Sequence, residues 1–513
     1  MNLLLHPMQA AGTQLKGPEI AWGSLTPLLV LLGTGLVLLV GAALSRRGWP
    51  RGLYATLTAG AAIAAGVLQF VLWSDTVHDG PRALVRDAVV VDGPSLFIGL
   101  AICAALLLAS LVTDNYLRRE DIDSPEVYGL YLMAALGGMV MAASNDLIVL
   151  FLGLETLSIA LYVLAAAHRK RIESQEAGLK YFILGGFSSA FFLYGIAMIY
   201  GATGTTKLRG AESIKQVLDN SIQEGRDRAI LVVGIALLLV GLAFKVAAVP
   251  FHSWTPDVYQ GAPTPVTGFM ASAAKAAAVA ALLRSVVLSM PQATDDWRPV
   301  IWALGILTLV VGSVLAVVQT NVKRMLAYSS ISHAGFILVG IEASAHSGDA
   351  GTRGIASVLF YVLTYAVLVS GTFAIATLVG RTGDSAHQLD SYRGLGRRRP
   401  VLALVLTVFL LAQAGVPLTS GFVAKFSVIT AAADANSYAI AIVAMLAAVI
   451  AAFLYLRIIV SMFLEEGDAD GESVAIPFGA GLAVGASAAF TLVVGFFPGW
   501  LWTLASDAAG RLF

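Results

Sequence analysis

Long hydrophobic stretches, separated by short polar segments, follow one another along almost the whole chain. A window of about 20 apolar residues is long enough to cross the hydrocarbon core of a bilayer as an α-helix. The pattern therefore predicts an all-α protein with about 14 transmembrane spans. These spans cover residues 24–44, 53–73, 94–113, 127–144, 146–167, 180–201, 229–250, 264–289, 299–319, 324–343, 354–380, 400–431, 438–463 and 478–502.

The composition indicates a polytopic membrane protein. Of the 513 residues, 58% are hydrophobic and 12% are charged, whereas soluble domains carry about 25% charged residues. Lysine plus arginine and aspartate plus glutamate number 32 each, which argues against nucleic acid as a partner. The single cysteine, Cys103, lies in an apolar run and excludes both a disulfide framework and a set of thiolates for an iron–sulfur cluster.

The distribution of lysine and arginine in the loops predicts how the chain crosses the membrane. An even number of spans places both termini on one side, and the loops richer in these residues face the cytoplasm. Both termini should then lie outside the cell. The 22 N-terminal residues lack the basic segment and apolar core of a cleavable signal peptide. The richer set of loops holds Arg46, Arg47, Arg51, Arg118, Arg119, Arg169, Lys170, Arg171, Lys323, Arg324, Arg381, Arg393, Arg397, Arg398 and Arg399.

Two of the predicted spans are interrupted by proline. The seventh reads GLAFKVAAVPFHSW, with Pro250 inside it, and the twelfth reads AQAGVPLTSGFVAKF, with Gly415 and Pro417. Proline removes a backbone donor and clashes with the preceding turn, so both helices should be discontinuous. The alternative is that these are two unrelated prolines in a glycine-rich membrane protein.

The positions of the two breaks predict an internal repeat. The prolines are separated by nearly as many residues as the starts of the fourth and ninth spans. Each unit would contain five helices, and because five is odd, the second unit would run inverted. Paired interrupted helices in an inverted repeat indicate a transport site. The predicted segments are 1–126 with the first three helices, 127–289 and 299–463 as the two repeats, and 464–513 as a C-terminal loop and helix.

Four charged residues lie near the middle of predicted spans: Glu155, Lys245, Lys275 and Lys425. A charge at the bilayer centre costs about 3 kcal/mol on the insertion scale, so such residues are rare and usually functional. His333, on the tenth span, occupies the place in the second repeat that Glu155 holds in the first. These residues are the candidates for proton translocation, with His333 as a candidate relay.

Lysine and glutamate are suited to moving protons across a membrane. Burial disfavours the charged form of a lysine, and an ionised glutamate nearby favours it again. At about 4 Å and an effective dielectric near 20, that attraction is about 4 kcal/mol. Moving the charge of Glu155 toward or away from Lys245 would therefore switch this lysine between holding and releasing a proton. Arginine could not act in this way because it stays charged.

The same residues also have structural interpretations. Glu155 and Lys245 could form a buried ion pair that only fixes helix packing, and His333 could bond a neighbouring carbonyl. Arg284 and Arg457 lie near helix ends, where they most simply extend to the membrane interface. Five hydroxyl residues are secondary candidates that could satisfy opened backbone or hold water: Ser329, Ser330, Ser332, Thr419 and Ser420.

No cofactor or metal site is expected in this chain. The segment GATGTTK at 201–207 lacks the spacing of a phosphate-binding loop, and no G-x-G-x-x-G follows a strand. His333 is the histidine predicted to lie deep in a span, which argues against haem ligation by two histidines. Metal-ligand spacing is absent from the sequence.

One segment carries a family resemblance. The run FKVAAVPFHSWTPDVYQGAPTPVTGF resembles the signature of the antiporter-like membrane subunits of respiratory complex I, which is shared with multisubunit cation/proton antiporters. Its DVYQGAP segment is most similar to the N subunits of bacterial NADH–quinone oxidoreductases. A lysine after the second break, and an end after the fourteenth span without a long lateral helix, agree with this. The resemblance covers about residues 127–463.

The resemblance implies a role for each candidate. Glu155 corresponds to the family's fifth-helix glutamate, and Lys245 to the seventh-helix lysine paired with it. Lys275 matches the central eighth-helix lysine, and Lys425 matches the twelfth-helix lysine near the outlet. His333 matches a less uniform region of the family.

The function that this resemblance implies is proton translocation in a bacterial cell membrane, driven by electron transfer in other subunits. NADH, FMN, iron–sulfur clusters and quinone would bind to those partners and not to this chain, which would contact neighbouring antiporter-like and small membrane subunits. The alternatives are a subunit of a cation/proton antiporter or a membrane-bound hydrogenase, and a scaffold that does not pump. A quinone-reducing site in this chain is disfavoured.

Overall fold

The computed structural model describes residues 20–44, 49–122, 125–220, 226–466 and 475–513. Within these residues, 13 helices are long and apolar enough to cross a membrane. The sheet formed by the same residues is a two-stranded antiparallel hairpin, β1 (Arg82–Leu84) and β2 (Val89–Val91). The prediction of an all-α polytopic membrane protein is confirmed. Residues 1–19 and the loop arginines Arg46 and Arg47 lie outside the described residues.

The helices follow the order of the predicted spans, each of which overlaps one helix or a consecutive group of helices. The first three are α1 (Trp22–Leu44), α2 (Arg51–Asp79) and α3 (Gly93–Arg119). The next are α4 (Glu126–Ala143), α5 (Leu147–Ala165), α6 (Ile172–Thr203), α7 (Ile214–Asn220), α8 (Arg226–Val246), α9 (Trp254–Gly261), α10 (Thr264–Phe269) and α11 (Lys275–Leu282). They are followed by α12 (Thr294–Val317), α13 (Val322–Ala343), α14 (Asp349–Val379), α15 (Leu395–Arg398), α16 (Pro400–Ala414), α17 (Ser420–Asp434), α18 (Tyr438–Phe463), α19 (Phe478–Phe496) and α20 (Gly499–Gly510).

The loops meet on two opposite faces of the bundle. On the face that we call the basic face, the loops after α3, α5 and α14 come together: Arg119 donates to the carbonyl of Thr377 (2.6 Å) and Arg171 pairs with Asp384 (3.0 Å). On the opposite face, which we call the hairpin face, the β1–β2 hairpin leads into α3, and the N–H of Gly93 donates to the carbonyl of Arg511 (2.9 Å).

The start of α1 also lies at the hairpin face. Ser24 and Leu25 line a small cavity together with Val89–Val91 of the hairpin. The first described helix and the C-terminal helix therefore begin and end on the same face, as an even number of crossings requires. Which face is cytoplasmic stays a prediction.

The seventh span is interrupted in the middle of the bundle. Helix α8 ends at Val246, four residues before Pro250, because a proline ring clashes with the carbonyl of the fourth residue before it. The backbone groups freed by the break find partners: the Trp254 indole donates to the carbonyl of Phe244 (3.0 Å), and the N–H of Val249 donates to the hydroxyl of Thr308 (2.9 Å). The chain then continues toward the basic face in α9.

The twelfth span is interrupted in a different way. Helix α16 ends at Ala414, and Gly415 follows with a φ of 91°, a left-handed conformation that glycine adopts without strain. The hydroxyl of Thr419 then caps α17 by accepting from the N–H of Phe422 (3.4 Å). The prediction that the seventh and twelfth helices are discontinuous is confirmed.

The last span is also interrupted, which the sequence did not lead us to expect. We predicted one helix over residues 478–502, but α19 ends at Phe496 and α20 begins at Gly499. The reason is Pro498, which has no N–H to donate to the preceding turn. The single-helix prediction for this span was therefore wrong.

Three spans form the centre of the bundle. The most apolar windows of Thr264–Leu288, Val322–Ala343 and Asp349–Val379 are completely buried, whereas only 22% of that of α1 is buried. The first of these spans joins α10 and α11 through a π-helical turn at Met270–Ala274, a rare feature that is frequent at functional sites.

The two predicted repeats have corresponding neighbours. Helix α4 packs on α5 and α5 on α6, while α12 packs on α13 and α13 on α14. The packing of α4 on α5 relies on small residues: a Cβ on Gly137 would come within 2.6 Å of the carbonyl oxygen of Gly153. The inverted relation of the two units, and the four-segment division of the chain, stay predictions.

Candidate functional site: a buried row of lysines

The first lysine, Lys245, lies in the last turn of α8, next to the break. It is only 6% exposed, and its ammonium donates to the hydroxyls of Ser158 (2.7 Å) and Tyr181 (3.3 Å). The ring of Tyr162 lies 5.7 Å from Nζ, close enough for a favourable cation–π contact. Lys245 is therefore held by hydroxyl groups and aromatic rings.

Glu155 lies nearby on α5, but does not contact this lysine directly. The carboxylate of Glu155 accepts a 2.5 Å hydrogen bond from Ser189 on α6, whereas the ammonium of Lys245 bonds Ser158 and Tyr181. Tyr162, Ser189 and Lys245 line one small cavity. Hydroxyl groups thus lie between the carboxylate and the ammonium, where we had considered a direct ion pair.

The second lysine, Lys275, begins α11 immediately after the π-helical turn. It is 4% exposed, and its ammonium donates to the carbonyl and the hydroxyl of Ser330 on α13, the latter at 2.7 Å. The ring of Tyr365 lies 5.3 Å from Nζ. Lys275 is thus located in the most deeply buried part of the bundle, without an acidic partner among the described ion pairs.

The third lysine, Lys425, lies one turn into α17. It is 5% exposed, and its ammonium donates to the carbonyl of Ala414 (3.0 Å), which the break in the twelfth span leaves without a helical partner. The ring centroid of Phe336 lies 4.7 Å from Nζ. The break therefore supplies the main polar partner of this lysine.

His333 lies between the second and third lysines. Its ring is 4.6 Å from that of Tyr365, which contacts Lys275, and 6.3 Å from that of Phe336, which contacts Lys425. Its Nδ1 shares a 2.6 Å hydrogen bond with the hydroxyl of Tyr361, and its Nε2 lies 3.3 Å from that of Tyr455. Among the described residues, the partners of His333 are these two hydroxyls and not the backbone carbonyl that we had considered, and its role as a relay stays a prediction.

The secondary hydroxyl candidates have different roles in the structure. Ser330 binds Lys275, Ser329 bonds the hydroxyl of Tyr455 (2.6 Å), and Ser332 bonds Ser313 (2.9 Å). Thr419 acts as a helix cap. The row of lysines is therefore surrounded by hydroxyl groups, which can both donate and accept protons.

Comparisons with known proteins identify the family. Residues 144–451 match the family described as NADH:quinone oxidoreductase/Mrp antiporter. The chain is 42% identical to NADH-quinone oxidoreductase subunit N 3 of Streptomyces griseus, over 97% of this chain and 96% of that protein. It belongs to the family of NADH-quinone oxidoreductase N subunits.

Solved structures agree with membership in the N-subunit family. A chain of respiratory complex I from Thermus thermophilus superposes with a TM-score of 0.76 at 33% identity, over 94% of this chain and 99% of that chain. A chain of the membrane-bound sulfane sulfur reductase, an archaeal respiratory membrane complex, has a TM-score of 0.83 at 26% identity, over 95% and 97%. The protein is thus a membrane-embedded member of this family with an antiporter-like fold.

Sequence reasoning missed several residues of this site. Ser158 follows Glu155 by one helical turn on α5, and that spacing could have indicated it. Tyr361 and Tyr455 gave no such signal, because an aromatic residue in an apolar helix is usually part of the core. Lys323 was counted only as a loop residue, yet it is completely buried.

The two arginines that we expected at the membrane interface are both bonded inside the protein. Arg284 is buried and pairs with the carboxylate of Asp92 (2.5 Å), so the expectation was wrong for this residue. Arg457 is partly buried and donates to the carbonyls of Val317 (3.0 Å) and Gln319 (2.9 Å). It thereby satisfies backbone groups at the end of α12.

Replacing Arg284 by leucine should destabilise the protein, because it leaves Asp92 charged and buried without its partner. Breaking a buried pair in this way costs about 3–5 kcal/mol. We expect a lower thermal denaturation midpoint of the purified complex. The double variant Arg284→Leu with Asp92→Leu should recover most of the lost thermal stability. An equally low denaturation midpoint in the single and the double variant would contradict the pairing of Arg284 with Asp92.

Proposed function

We propose that this chain is a proton-translocating subunit of the membrane arm of NADH–quinone oxidoreductase, with no redox chemistry of its own. The observation that carries the proposal is the row of three buried lysines bound to hydroxyl and carbonyl oxygens. Burial disfavours a charged lysine, and these lysines have no carboxylate partner among the described ion pairs. A change of a few kcal/mol in the interaction energy between a lysine and a neighbouring charge would therefore decide whether that lysine holds its proton.

In this proposal, His333 connects the lysines of the two halves. A proton leaving Lys275 would reach Lys425 through the imidazole and the hydroxyls of Tyr361 and Tyr455. Proton transfer over hydrogen-bond distances needs such a chain of groups that donate and accept. Between Lys245 and Lys275, the ring of Tyr181 stacks on that of Trp254, with 4.5 Å between the ring centroids. Because stacked rings do not relay protons, transfer between these two lysines would need water molecules.

Glu155 would couple this subunit to its neighbour. It is only half-buried and lies beside the exposed side chains of Leu152 and Ile159 on the outer surface of α5. An adjacent membrane subunit that covers this surface would bury the carboxylate and could move its charge. The hydroxyls of Ser189 and Tyr162 would pass this electrostatic change on to Lys245.

The remaining parts of the proposal concern location and partners. We place the protein in a bacterial cell membrane with the basic face in the cytoplasm and both termini outside. Its partners would be the other membrane and peripheral subunits, and the latter would hold NADH, FMN and iron–sulfur clusters and donate electrons to quinone. Flavin and iron–sulfur subunits that copurify with the chain would support this; small hydrophobic partners alone would support a cation/proton antiporter.

Lys245→Ala and Glu155→Ala test the role of the first lysine. We expect the complex to assemble largely as in the wild type, while proton pumping and coupled quinone reduction fall. The measurement is the pH change inside membrane vesicles on addition of NADH, together with the amount of assembled complex. Normal pumping by an assembled Lys245→Ala complex would remove this role. Loss of assembly when each of Glu155, Lys245, Lys275 and Lys425 is replaced by alanine would favour a scaffold.

A further inference from the structure

A second cluster of charged residues is buried at the basic face, outside the row of lysines. At its centre is Asp384, which is 1% exposed and lies in the loop after α14. Its Oδ2 accepts from Arg171 (3.0 Å) and Lys323 (3.3 Å). Its Oδ1 accepts from the hydroxyl of Thr264 (2.7 Å) and from Nε2 of His387 (2.7 Å).

The cluster joins separate parts of the chain. Arg171 precedes α6 and Thr264 begins α10, both in the first predicted repeat, whereas Lys323 begins α13 and Asp384 follows α14 in the second. A carboxylate that bonds Arg171, Thr264 and Lys323 from three separate parts of the chain, and His387 from its own loop, could serve only to hold the two halves together.

One atom of the cluster has no partner. Nδ1 of His387 is buried and makes no hydrogen bond with any described residue. Burial lowers the pKa of His387, although Asp384 raises it. Burial raises the pKa of Asp384, but Lys323 and His387 hold it well below its usual range. His387 is therefore a neutral ring whose Nε2 donates to an ionised carboxylate, and whose Nδ1 is free to accept a proton.

Other charged groups lie around the cluster. Glu120, at the end of α3, accepts from the N–H of Gly383 (2.7 Å) and lies 3.4 Å from Nε2 of His168. Burial and the nearby charge of Asp384 raise the pKa of Tyr392, which lies in the loop after α14. The surroundings of His387 thus contain positively and negatively charged side chains. Of these, Arg171 is 14% exposed at the basic face.

The cluster lies at the start of a polar route to the central lysine. Thr264 begins the span that contains Lys275, and Lys323 begins α13, which contains Ser330. The seven residues from Lys323 to Ser330 span about 10 Å of helix. Lys323 also donates to the carbonyl of Ala262 (2.6 Å), immediately after α9, which contains Tyr259. At the other end of this distance, Ser330 binds Lys275.

We propose that Lys323, Asp384 and His387 form a proton-collecting site at the basic face that supplies Lys275. A proton from water binds Nδ1 of His387, and the proton on Nε2 passes to Asp384. Asp384 then passes it to the hydroxyl of Thr264, which gives up its own proton, or to Lys323 after that ammonium has released a proton toward Tyr259 and Ser330. A turn of the ring restores the starting tautomer. This inference rests on the proposed function of the lysine row.

The test uses His387→Gln in the assembled complex. Glutamine keeps an N–H donor for Asp384 but cannot pass a proton between two ring nitrogens, so the structural contact is preserved. When proton uptake at this site is slow, the turnover rate depends on the proton concentration in the water at the basic face. We expect coupled quinone reduction to fall about tenfold at about pH 8.5 and less than about twofold at about pH 6.5. His346→Gln, at the hairpin face, is the matched control and should show equal activity changes at both pH values.

A second variant tests the proton-collecting site if the His387→Gln complex does not assemble. Lys323→Arg keeps a positive charge beside Asp384 but cannot release its proton, and should show the same loss at alkaline pH. An equal fractional loss at both pH values would overturn the proposal, since only the structural role predicts it. Lys275→Met, assayed in parallel, separates the two proposals: if it stops pumping while both cluster variants behave as wild type, only the collecting site is refuted.

Discussion

Replacing Lys275 by methionine is expected to lower coupled quinone reduction about a hundredfold, because positioned proton transfer contributes factors of that size. Methionine has a similar length and fits an apolar environment, but carries no proton. The variant should assemble, because the partners of the Lys275 ammonium among the described residues are the carbonyl and hydroxyl of Ser330, and no buried carboxylate there would lose its partner.

The matching control is Lys215→Met, which makes the same chemical change on the short helix α7 at the hairpin face. Lys215 is partly exposed and pairs with Asp219 at 3.0 Å, a surface contact worth at most about 1 kcal/mol. We expect wild-type turnover in this variant. Turnover in Lys275→Met should be measured with NADH and quinone in sealed membranes, and a rate within twofold of the control would contradict the central role of Lys275.

Gly421→Ala should have the second largest effect, by disturbing the break in the twelfth span. Gly421 begins α17 at a point where it touches the end of α16, and a Cβ there would overlap the carbonyl group of Ala412. Backbone on both sides leaves little room to move, and overpacking of this kind costs about 1–3 kcal/mol or more. The two half-helices would separate, and Lys425 would lose its bond to Ala414.

We therefore expect Gly421→Ala to reduce both the amount of assembled complex and its coupled turnover. Gly485→Ala on α19 is the control, because a Cβ at Gly485 would meet no atom within 4 Å. Assembly is measured by native gel electrophoresis of solubilised membranes. A Gly421→Ala variant with wild-type assembly and turnover would show that the close approach of α16 and α17 is not required.

The sequence predicted the spans and the breaks in the seventh and twelfth spans because both depend on residues that are close together in the chain. About 20 apolar residues define a crossing, and Pro250 and Pro417 prevent continuous helices wherever they are located. The third break, at Pro498, follows the same rule, but the apolar stretch continues past it and obscured the interruption. The lysines Lys245, Lys275 and Lys425 were apparent because a charge is conspicuous in an apolar segment.

The surroundings of the lysines could not be predicted in the same way. The partners of Lys245 come from α5 and α6, and those of His333 from α14 and α18, so they depend on how distant helices pack. Serine and tyrosine are common in membrane helices and do not mark a site. Asp384 was missed because it lies in a polar loop, where an aspartate is ordinary; its burial results from tertiary contacts with Lys323, Arg171 and Thr264.

The lysine row also explains why the two breaks matter physically. Lys425 bonds the carbonyl that its break exposes, whereas Lys245 lies one turn before the other break, whose freed groups bond Trp254 and Thr308. A broken helix exposes backbone polar groups in the middle of the membrane, where they must find partners. The second break thus supplies a polar partner for Lys425 at a depth where a lysine would otherwise be unstable, whereas Lys245 is held by the hydroxyls of Ser158 and Tyr181.

The number of protons translocated per pair of electrons tests the central claim most directly. The intact complex, reconstituted in sealed liposomes with a trapped pH indicator, would be compared with complexes carrying Lys275→Met or Lys215→Met in this chain. The account predicts a lower ratio in Lys275→Met during the residual turnover, with the ratio unchanged in Lys215→Met. An unchanged ratio in an assembled and active Lys275→Met complex would mean that protons do not pass through this row of lysines.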